Sequence, residues 1–423
     1  MKYLFLFLFL YLKTEGQVDY PRICFEKEFV YSDSANGEKA VCSYIPTGII
    51  SFDDGSKIIS TELTVRFPNR FELDWRNNDY RKKIKNYQTK EHGSSGTVFC
   101  LDSNQEKTWE LIFKDEKAEF IKKFNDSSFV VVGTHINLKH VWMALISQKG
   151  EIAWKKDFKH KRQIFTSSLA VHNECIYLLH ESRGTILYHT KPNTVKKHRF
   201  FETSENDDLY LMKVDSKGFR KWRKAIDKRK NSTSYGDQLF VTNENIYLTY
   251  SHIGPELELN GHTYKSSKKL IMLNLTGRVL KNLKFDGRTL INTSGGLLYC
   301  TSADDDTLNF YRGDSLVKNF VIPNDIKRFW VNGAFVMEDQ LVLFGSNNNN
   351  LGVLLMSFDL KFNLNWYWIK EGERLIEPGG YCKNKNGSFS IAAEKWKKTD
   401  NGYIRWIYVN ELEKKGVTQT YRP

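Results

Sequence analysis

The chain has 423 residues, of which 40% are hydrophobic and 14% aromatic, and its formal net charge is +13. This apolar fraction, with only 8 prolines, excludes a disordered or collagen-like chain and is enough for a large core. The positive charge favours anionic partners such as sulfated glycans, acidic membranes or nucleic acid, although solubility alone also explains it.

The N-terminus predicts a signal peptide over residues 1–16. Met1 and Lys2 precede an apolar run from Tyr3 to Leu12, which is too short to span a bilayer of about 30 Å. An uncleaved anchor is the alternative. Because no later run approaches about 18 apolar residues, no transmembrane segment is expected after the signal peptide, and the mature chain is expected to be secreted and extracellular. Residues 17–43 then form an N-terminal extension and residues 44–423 a single domain.

Secretion makes the six cysteines candidates for disulfide bonds. Cys24 and Cys42 bracket a short segment and form one candidate pair. Cys100 and Cys382 lie in the first and last repeats and would be neighbours in a closed ring, so they form another. Cys175 and Cys300 occupy similar strand positions in non-adjacent repeats and are expected to be buried thiols. The sequence has no Cys-x-x-Cys and no histidine pair at zinc spacing, so no metal site is expected.

A recurring unit organises the rest of the chain. An apolar strand is followed by a tight turn with Gly or Asn, and then by a strand with Trp or another large apolar residue, as in 141–154, 209–222 and 270–280. One such unit cannot bury its apolar face alone. The repeat therefore predicts units that stack on one another.

Apolar or alternating runs interrupted by Gly, Asn, Asp and Ser predict four strands, at 119–124, 129–136, 141–146 and 152–158. The same order is expected in seven units, at 48–113, 119–158, 163–226, 238–285, 290–320, 328–369 and 375–421. The sequence thus predicts an all-β fold, a seven-bladed β-propeller of four-stranded antiparallel blades, with six or eight blades as alternatives. Closure of the ring would place 48–67 beside the last unit, which carries Trp406 and Tyr408.

Tryptophans recur on the fourth predicted strands, and the preceding turns contain residues that tolerate positive φ, as at Gly218 and Gly277. Because side chains alternate along a strand, these tryptophans are expected to pack between neighbouring blades. They are Trp109, Trp154, Trp222 and Trp366.

Two units carry a more specific pattern. Ala144, Gly150 and Trp154 keep the spacing of the motif Ala-x-Asp-x-x-Thr-Gly-x-x-x-Trp, and residues 214–222 read Val-Asp-Ser-Lys-Gly-Phe-Arg-Lys-Trp. These units resemble the propeller repeats of the quinoprotein-like superfamily, which includes secreted bacterial propellers with an Asp-Ser-x-Gly-x-x-x-Trp repeat. The resemblance implies a propeller architecture but no single activity, because the family includes quinone enzymes, assembly scaffolds and binding proteins. The adjacent cysteine pair usual in the quinone enzymes is absent, so no cofactor is expected.

The densest basic stretch lies on a predicted outermost strand and the loop after it. Alternation would place Arg220 and Lys224 on one side with Trp222, and Lys221 and Arg223 on the other. The stretch predicts an anion-binding rim that suits sulfated glycans; protection of a sheet edge against aggregation is the alternative. Its residues are Lys217, Arg220, Lys221, Arg223, Lys224, Lys228, Arg229 and Lys230.

Two further motifs point to the cell surface. Arg312, Gly313 and Asp314 spell a receptor-binding tripeptide at a predicted turn, where Gly and Asp also have a structural reason to occur. Candidate glycosylation sites of the form Asn-x-Ser/Thr begin at Asn125, Asn231, Asn274, Asn292 and Asn386.

No signature of a serine hydrolase, a zinc metalloprotease or a P-loop enzyme appears in the sequence. The sequence therefore predicts a secreted, monomeric, non-catalytic protein that binds anionic glycans or cell-surface proteins through a propeller face, with nucleic acid not expected. One alternative is an extracellular hydrolase or lyase with acids, such as Asp304, Asp305 and Asp306, at the propeller channel. Another is a secreted effector that engages host receptors.

Overall fold

A computed structural model describes residues 31–33, 40–66, 95–183, 208–228, 233–253 and 266–412, apart from gaps at 105, 136–137, 161, 286–288, 294–295, 303–306, 313–314, 324–325, 327–328, 338–339, 348–351, 371–375, 385–387 and 400–401. The predictions for the signal peptide, Cys24, Asn231, Asn386, Arg229, Lys230, Gly313, Asp314 and Asp304 to Asp306 lie outside the described residues. The same holds for the side chains of Cys42, Asn292, Trp406 and Tyr408.

All elements of the described chain are β-strands, and each sheet pairs consecutive strands in antiparallel order. The first sheet contains β1 Tyr31–Asp33, β2 Ala40–Ser51, β3 Lys57–Arg66, β4 Ser95–Leu101 and β5 Lys107–Phe113. The second contains β6 Phe120–Asn125, β7 Ser128–Thr134, β8 His140–Ser147 and β9 Ile152–Lys159. The third contains β10 Gln163–His172, β11 Cys175–Arg183, β12 Asp208–Asp215 and β13 Arg220–Asp227.

The remaining sheets follow in chain order. The fourth contains β14 Thr233–Val241, β15 Asn245–Ile253, β16 Ser266–Asn274 and β17 Val279–Lys284. The fifth contains β18 Thr289–Thr293, β19 Gly296–Ser302, β20 Thr307–Arg312 and β21 Ser315–Val321. The sixth contains β22 Phe329–Met337, β23 Gln340–Asn347, β24 Gly352–Asp359 and β25 Leu364–Lys370, and the last β26 Ile376–Lys383, β27 Phe389–Thr399 and β28 Gly402–Leu412.

The all-β propeller of four-stranded antiparallel blades is confirmed, whereas the blade count is not. Five sheets in the described chain, rather than seven, have the expected four strands, because the first has five and the last has three. The first strand of each later sheet and β2 of the first sheet lie beside one another in the order β2, β6, β10, β14, β18, β22 and β26, and β26 lies beside β2.

Ring closure is visible where the first and last sheets meet. A Cβ atom at Gly380 on β26 would lie 2.8 Å from the Cα atom of Gly48 on β2. Only glycine allows the two backbones to approach this closely. Ile49 and Ala392 pack in one apolar cluster across the same junction. The expected position of 48–67 beside the last unit is therefore confirmed.

The turns between third and fourth strands share one geometry. The Asp215 Oδ1 atom accepts hydrogen bonds from the backbone nitrogens of Lys217 and Phe219, at 3.0 and 2.8 Å. Asn274 and Asp359 accept from the residues two and four positions later in the same way. Gly150, Gly218 and Gly277 have φ of 86°, 80° and 81°, as the turn composition predicts.

Three of the four predicted tryptophans pack between sheets, as expected, whereas the packing of Trp366 stays a prediction. Gly150, Gly218 and Gly277 each lie against the indole of the preceding sheet, namely Trp109, Trp154 and Trp222. The Nε1 atom of Trp109 donates to the Gln148 carbonyl at 3.0 Å, and that of Trp154 to the Ser216 carbonyl at 2.8 Å. Each indole is thus held by the turn of the next sheet.

The candidate disulfide between Cys100 and Cys382 is wrong. Cys100 packs with Phe129 and Trp142 toward the second sheet, whereas Cys382 packs on the other side, with Phe99 and Leu101. Strand alternation turns the Cys100 side chain away from the last sheet. The described cysteine side chains, Cys100, Cys175, Cys300 and Cys382, form no disulfide with one another. Cys300 is buried, whereas Cys175 is half-buried.

The described part of the chain contains no helix with the length and hydropathy needed to cross a membrane.

Candidate functional site

The predicted basic stretch lies on β13, the outermost strand of the third sheet, and on the turn before it. Lys217, Arg220, Lys221, Lys224 and Lys228 are exposed. The Lys221 Nζ atom lies 2.9 Å from Asp215 Oδ2, so a neighbouring carboxylate balances its charge. Four of the eight predicted residues, Lys217, Arg220, Lys224 and Lys228, are therefore open to a ligand.

The alternation predicted along β13 is confirmed for Trp222, Arg223 and Lys224, but it is wrong for Arg220. A register shift pairs Trp222 with Lys213 and Arg220 with Val214, and these two partners face opposite sides of the sheet. Trp222 and Lys224 lie together on the side that faces the fourth sheet, where both contact the position of a Cβ atom at Gly277. Arg223 points to the opposite side, where its guanidinium carbon lies 3.7 Å from the centre of the Tyr210 ring. The stretch thus supplies two surfaces instead of one.

Lysines connect the outer edges of consecutive sheets. The Lys156 side chain on β9 packs on Gly218, where an added Cβ atom would lie 3.0 Å from the Lys156 Cγ atom. The Lys156 ammonium lies 5.5 Å from the centre of the Phe219 ring. The Cγ atom of Lys224 would lie 3.0 Å from a Cβ atom at Gly277. A lysine two positions after the packed tryptophan therefore crosses to the next turn at both junctions.

These contacts join exposed basic side chains of the second, third and fourth sheets into one surface, which we call the outer basic strip. Within the described residues, none of its members forms an ion pair with a carboxylate. The strip consists of Lys156 and Lys224, which make these contacts, and of the exposed Lys217, Arg220, Arg278 and Lys281 on the outermost strands and preceding turns of the third and fourth sheets. Sequence analysis identified only its β13 portion, because contacts between sheets decide its continuation.

A second cluster lies at the junction of the second and third sheets, where β9 leads into β10. The ring centre of His180 on β11 lies 5.5 Å from that of Tyr210 on β12, in a stacked arrangement, and Arg223 covers Tyr210. The His160 ring lies 6.3 Å from His180 and 6.1 Å from Tyr210. We call these four residues the junction cluster.

Charged groups surround the junction cluster. The Tyr210 hydroxyl donates to Asp208 Oδ2 at 3.0 Å, and Arg162 Nη1 lies 3.9 Å from the same oxygen. The Lys228 ammonium lies 5.8 Å from the centre of the Tyr210 ring. Arg162, just before β10, and Lys228, just after β13, therefore both lie near Tyr210.

Both histidines of the cluster are neutral at physiological pH. Burial, reinforced by the charge of Arg223, lowers the pKa of His180 to about 3. The same causes lower the pKa of His160 to about 4. The positive charge of the cluster therefore belongs to Arg223.

The sequence did not reveal the junction cluster. Ile176 and Leu178 on β11 and Met212 on β12 form the apolar contact between the two sheets, and His180 and Tyr210 continue their alternation on the same side. The only signal in the sequence was that His180 and Tyr210 occupy strand positions where the alternation predicts apolar side chains.

Two carboxylates, one just before β6 and one on β11, form hydrogen bonds between sheets. Glu119 Oε1 accepts from Thr134 at 2.8 Å, and Glu119 Oε2 accepts from Thr166 on the third sheet. Glu181 accepts from Ser167 and from the backbone nitrogen of Gly236 in the fourth sheet. In the described part of the chain, no group of three or more His, Cys, Asp or Glu side chains is placed to hold a metal ion.

The remaining candidates are separate from these clusters. Arg312 is exposed at the end of β20 and pairs with Ser315 of β21, and the other two residues of the receptor tripeptide lie outside the described residues. Asn125 is exposed at the end of β6, and its Oδ1 accepts from the backbone nitrogen of Ser127 and the hydroxyl of Ser128. Asn274 is half-buried and holds the β16–β17 turn through the bonds described above.

No known family profile matches the sequence, and no characterised protein matches it at a significant level. The resemblance to quinoprotein-like repeats thus has no support at the level of a sequence family. Among solved structures, the chain is similar to a subtype N11 neuraminidase-like protein of influenza A/flat-faced bat/Peru/033/2010, with 8% identity, a TM-score of 0.43, and 88% of this chain and 89% of that chain covered.

Two further solved structures are similar over much of the chain. Hsv2 of Kluyveromyces marxianus shows 10% identity and a TM-score of 0.42, with 86% of this chain and 97% of that chain covered. The WD40 β-propeller domain of Doa1 shows 10% identity and a TM-score of 0.38, with 68% and 81% covered. At this level of likeness nothing about function transfers, and the functional argument depends on the residues of this chain alone.

Proposed function

We propose that this propeller is a secreted, non-catalytic binding protein that holds an extended sulfated glycan along the outer basic strip. In this proposal the sheets at the two chain ends complete a seven-bladed ring. The single observation that carries the proposal is the crossing of Lys156 and Lys224 to the turns of the next sheets at Gly218 and Gly277. These crossings make the positive charge continuous over three sheets.

Continuity matters because a polymer with regularly spaced anionic groups gains from each contact without additional loss of translational freedom. A strip of separate lysines would bind single anions only weakly, since exposed charges are screened beyond about 8 Å at physiological ionic strength. A strip that spans three sheets therefore favours a long polyanion over a small one.

Secretion, which the N-terminal sequence predicts, favours sulfated glycans over nucleic acid. The strip also offers little for base stacking, because Phe219 lies under the Lys156 ammonium. The predicted contact is thus dominated by charge and should depend steeply on salt.

The experiment compares three forms of the full chain on immobilised heparin. The strip variant is Lys156→Gln/Lys217→Gln/Lys224→Gln. The control variant, Lys114→Gln/Arg312→Gln/Lys361→Gln, removes the same formal charge from exposed positions associated with the first, fifth and sixth sheets. The two variants therefore differ in the position of the lost charge and not in its amount.

We expect the wild type and the control to elute at similar salt concentrations and the strip variant to elute clearly earlier. The slope of log affinity against log salt should become shallower by about 2 to 3 in the strip variant, about one for each lost contact. Co-elution of both variants would mean that heparin responds only to net charge. Equal affinity of the wild type for single-stranded DNA would reject the glycan in favour of polyanions in general.

A further inference from the structure

We infer that Arg223 binds a single oxyanion, a carboxylate, sulfate or phosphate group, at the junction of the second and third sheets. This site is distinct from the outer basic strip, because Arg223 points to the opposite side of β13 from Trp222 and Lys224. It binds one pendant group, whereas the strip binds a polymer along its length.

The hydrogen-bonding pattern of the guanidinium carries this inference. The Nε and Nη2 atoms of Arg223 are both buried, and neither has a hydrogen-bond partner in the described part of the chain. In a guanidinium the N–H groups of these two atoms point in the same direction and form a fork. That fork matches two oxygens of one carboxylate, sulfate or phosphate in a bidentate contact.

Two buried donors without an acceptor are costly, because each loses its hydrogen bonds to water and gains none in return. The stacking on Tyr210 does not replace them, since it uses the face of the guanidinium and leaves its N–H groups in the plane. A ligand with two coplanar oxygens would satisfy both donors at once.

The surroundings of Arg223 fix its orientation and add a third polar group. Tyr210 holds the guanidinium plane at 3.7 Å, and Asp208 holds the Tyr210 hydroxyl at 3.0 Å. His180 is 2% exposed, and its Nδ1 atom also has no hydrogen-bond partner among the described residues. A neutral imidazole in the Nδ1–H tautomer would leave a second unpaired donor beside Tyr210.

Two exposed cations lie at the edge of the junction cluster. The Arg162 side chain is 43% exposed and lies 3.9 Å from Asp208, and the exposed Lys228 lies 5.8 Å from the centre of the Tyr210 ring. They favour the approach of an anion. Asp208 is the opposing charge, and its carboxylate is already engaged by the Tyr210 hydroxyl and by Arg162.

The test uses the purified full chain at pH 7 and titrates sodium sulfate, sodium phosphate and sodium acetate by calorimetry, at constant ionic strength maintained with sodium chloride. Arg223→Lys keeps the charge and removes the fork. Arg220→Lys is the matched control, because it makes the same substitution at an exposed position of the same strand. Circular dichroism establishes that each variant folds.

We expect at least one oxyanion to bind the wild type with one-to-one stoichiometry, and the three titrations distinguish the three groups. Arg223→Lys should weaken binding at least tenfold, about the effect of losing one charged hydrogen bond, while Arg220→Lys stays within about twofold. Asp208→Asn, which leaves Arg223 intact, should tighten binding by removing a like charge, and it tests the site if Arg223→Lys does not fold.

The inference fails if no oxyanion binds the wild type beyond chloride, or if Arg223→Lys and Arg220→Lys bind equally well. Its failure is separable from that of the glycan proposal. Arg223→Lys should leave heparin elution unchanged, and the strip variant should leave one-to-one oxyanion binding unchanged.

Discussion

The indole of Trp154 in the second sheet lies against the backbone of Gly218 in the third, where a Cβ atom would come within 3.0 Å of the ring atoms Cδ2 and Cε3. Its Nε1 atom donates to the Ser216 carbonyl at 2.8 Å, and Gly218 has a φ of 80°. Trp109 with Gly150 and Trp222 with Gly277 repeat this contact. The same turn thus presents the outer basic strip and locks neighbouring sheets together.

The first prediction concerns this contact. Gly218→Ala should lower the free energy of unfolding by about 2 to 4 kcal/mol, for two reasons. Alanine is strained at the positive φ of this position, and its Cβ atom would clash with the Trp154 ring. Urea denaturation measures the effect. Lys217→Ala in the same turn is the control and should change stability by less than about 0.5 kcal/mol. Equal midpoints for Gly218→Ala and the wild type would show that the turn can move away from the indole.

The second prediction concerns the junction of the fifth and sixth sheets, where the contact is reversed. In the second and third sheets, Trp154 and Trp222 lie on the fourth strand next to a register shift. In the fifth sheet, Lys318 occupies the equivalent position and pairs with Phe310. Phe362 replaces the turn glycine with a φ of 63°, and its ring stacks on Phe310 at 4.8 Å. A phenylalanine from the turn therefore fills the space that a tryptophan fills elsewhere.

Phe362→Gly alone should destabilise the protein by about 2 to 4 kcal/mol through loss of a buried ring, despite relief of the backbone. Combining it with Lys318→Trp should recover part of this loss, with a coupling of about 0.5 to 3 kcal/mol in a double-mutant cycle. Chemical denaturation of the four proteins gives the coupling. Strictly additive effects would argue against the equivalence of the two packing solutions.

The third prediction concerns pH. The pKa of His180 is about 3 in the folded protein and about 6.5 in an unfolded chain, so between these values the unfolded state binds a proton that the folded state does not. Stability is therefore fully present above pH 6.5 and falls by about 1.4 kcal/mol per unit as pH decreases below about 6. His160, Tyr210 and Arg223 face His180, and the charge of Arg223 reinforces this direction.

The measurement compares the unfolding free energies of the wild type and His180→Phe at pH 7.5, 6.5, 5.5 and 4.5. The difference between the two proteins removes the contribution of carboxylates, which titrate in both. The wild type should lose more stability on acidification than the variant. Parallel curves would mean that His180 takes up its proton in the folded state.

The fourth prediction concerns the thiols. Cys100 on the first sheet faces the second sheet, whereas Cys382 on the last sheet packs against the opposite face of the first sheet. Because the two thiols cannot form a disulfide bond across this sheet, both should be alkylated by iodoacetamide in denaturant without a reductant. Peptide mass spectrometry detects the modification. A disulfide-linked peptide that contains both residues would contradict the packing of these strands.

The sequence predicted much of the local structure because local chemistry decides it. The strands 119–124 and 141–146 of the sequence prediction correspond to β6 and β8, whose bounds differ from the predicted ones by one residue at each end. Gly218 and Asp215 predicted their turn because only glycine is unstrained at positive φ and a carboxylate can accept from two backbone nitrogens. Trp154 and Trp222 were predicted to lie between sheets because strand alternation determines which side each faces.

Only the tertiary structure decided which side chains meet across sheets. Cys100 and Cys382 are close along the ring but separated by the pleat, so ring order alone predicted a bond that does not form. Lys156 joined the basic strip, and His180 met Arg223 and Tyr210, through contacts between residues far apart in sequence. Composition and alternation determine the surface that each strand presents, whereas the packing of one sheet on the next determines which of these surfaces combine into a site.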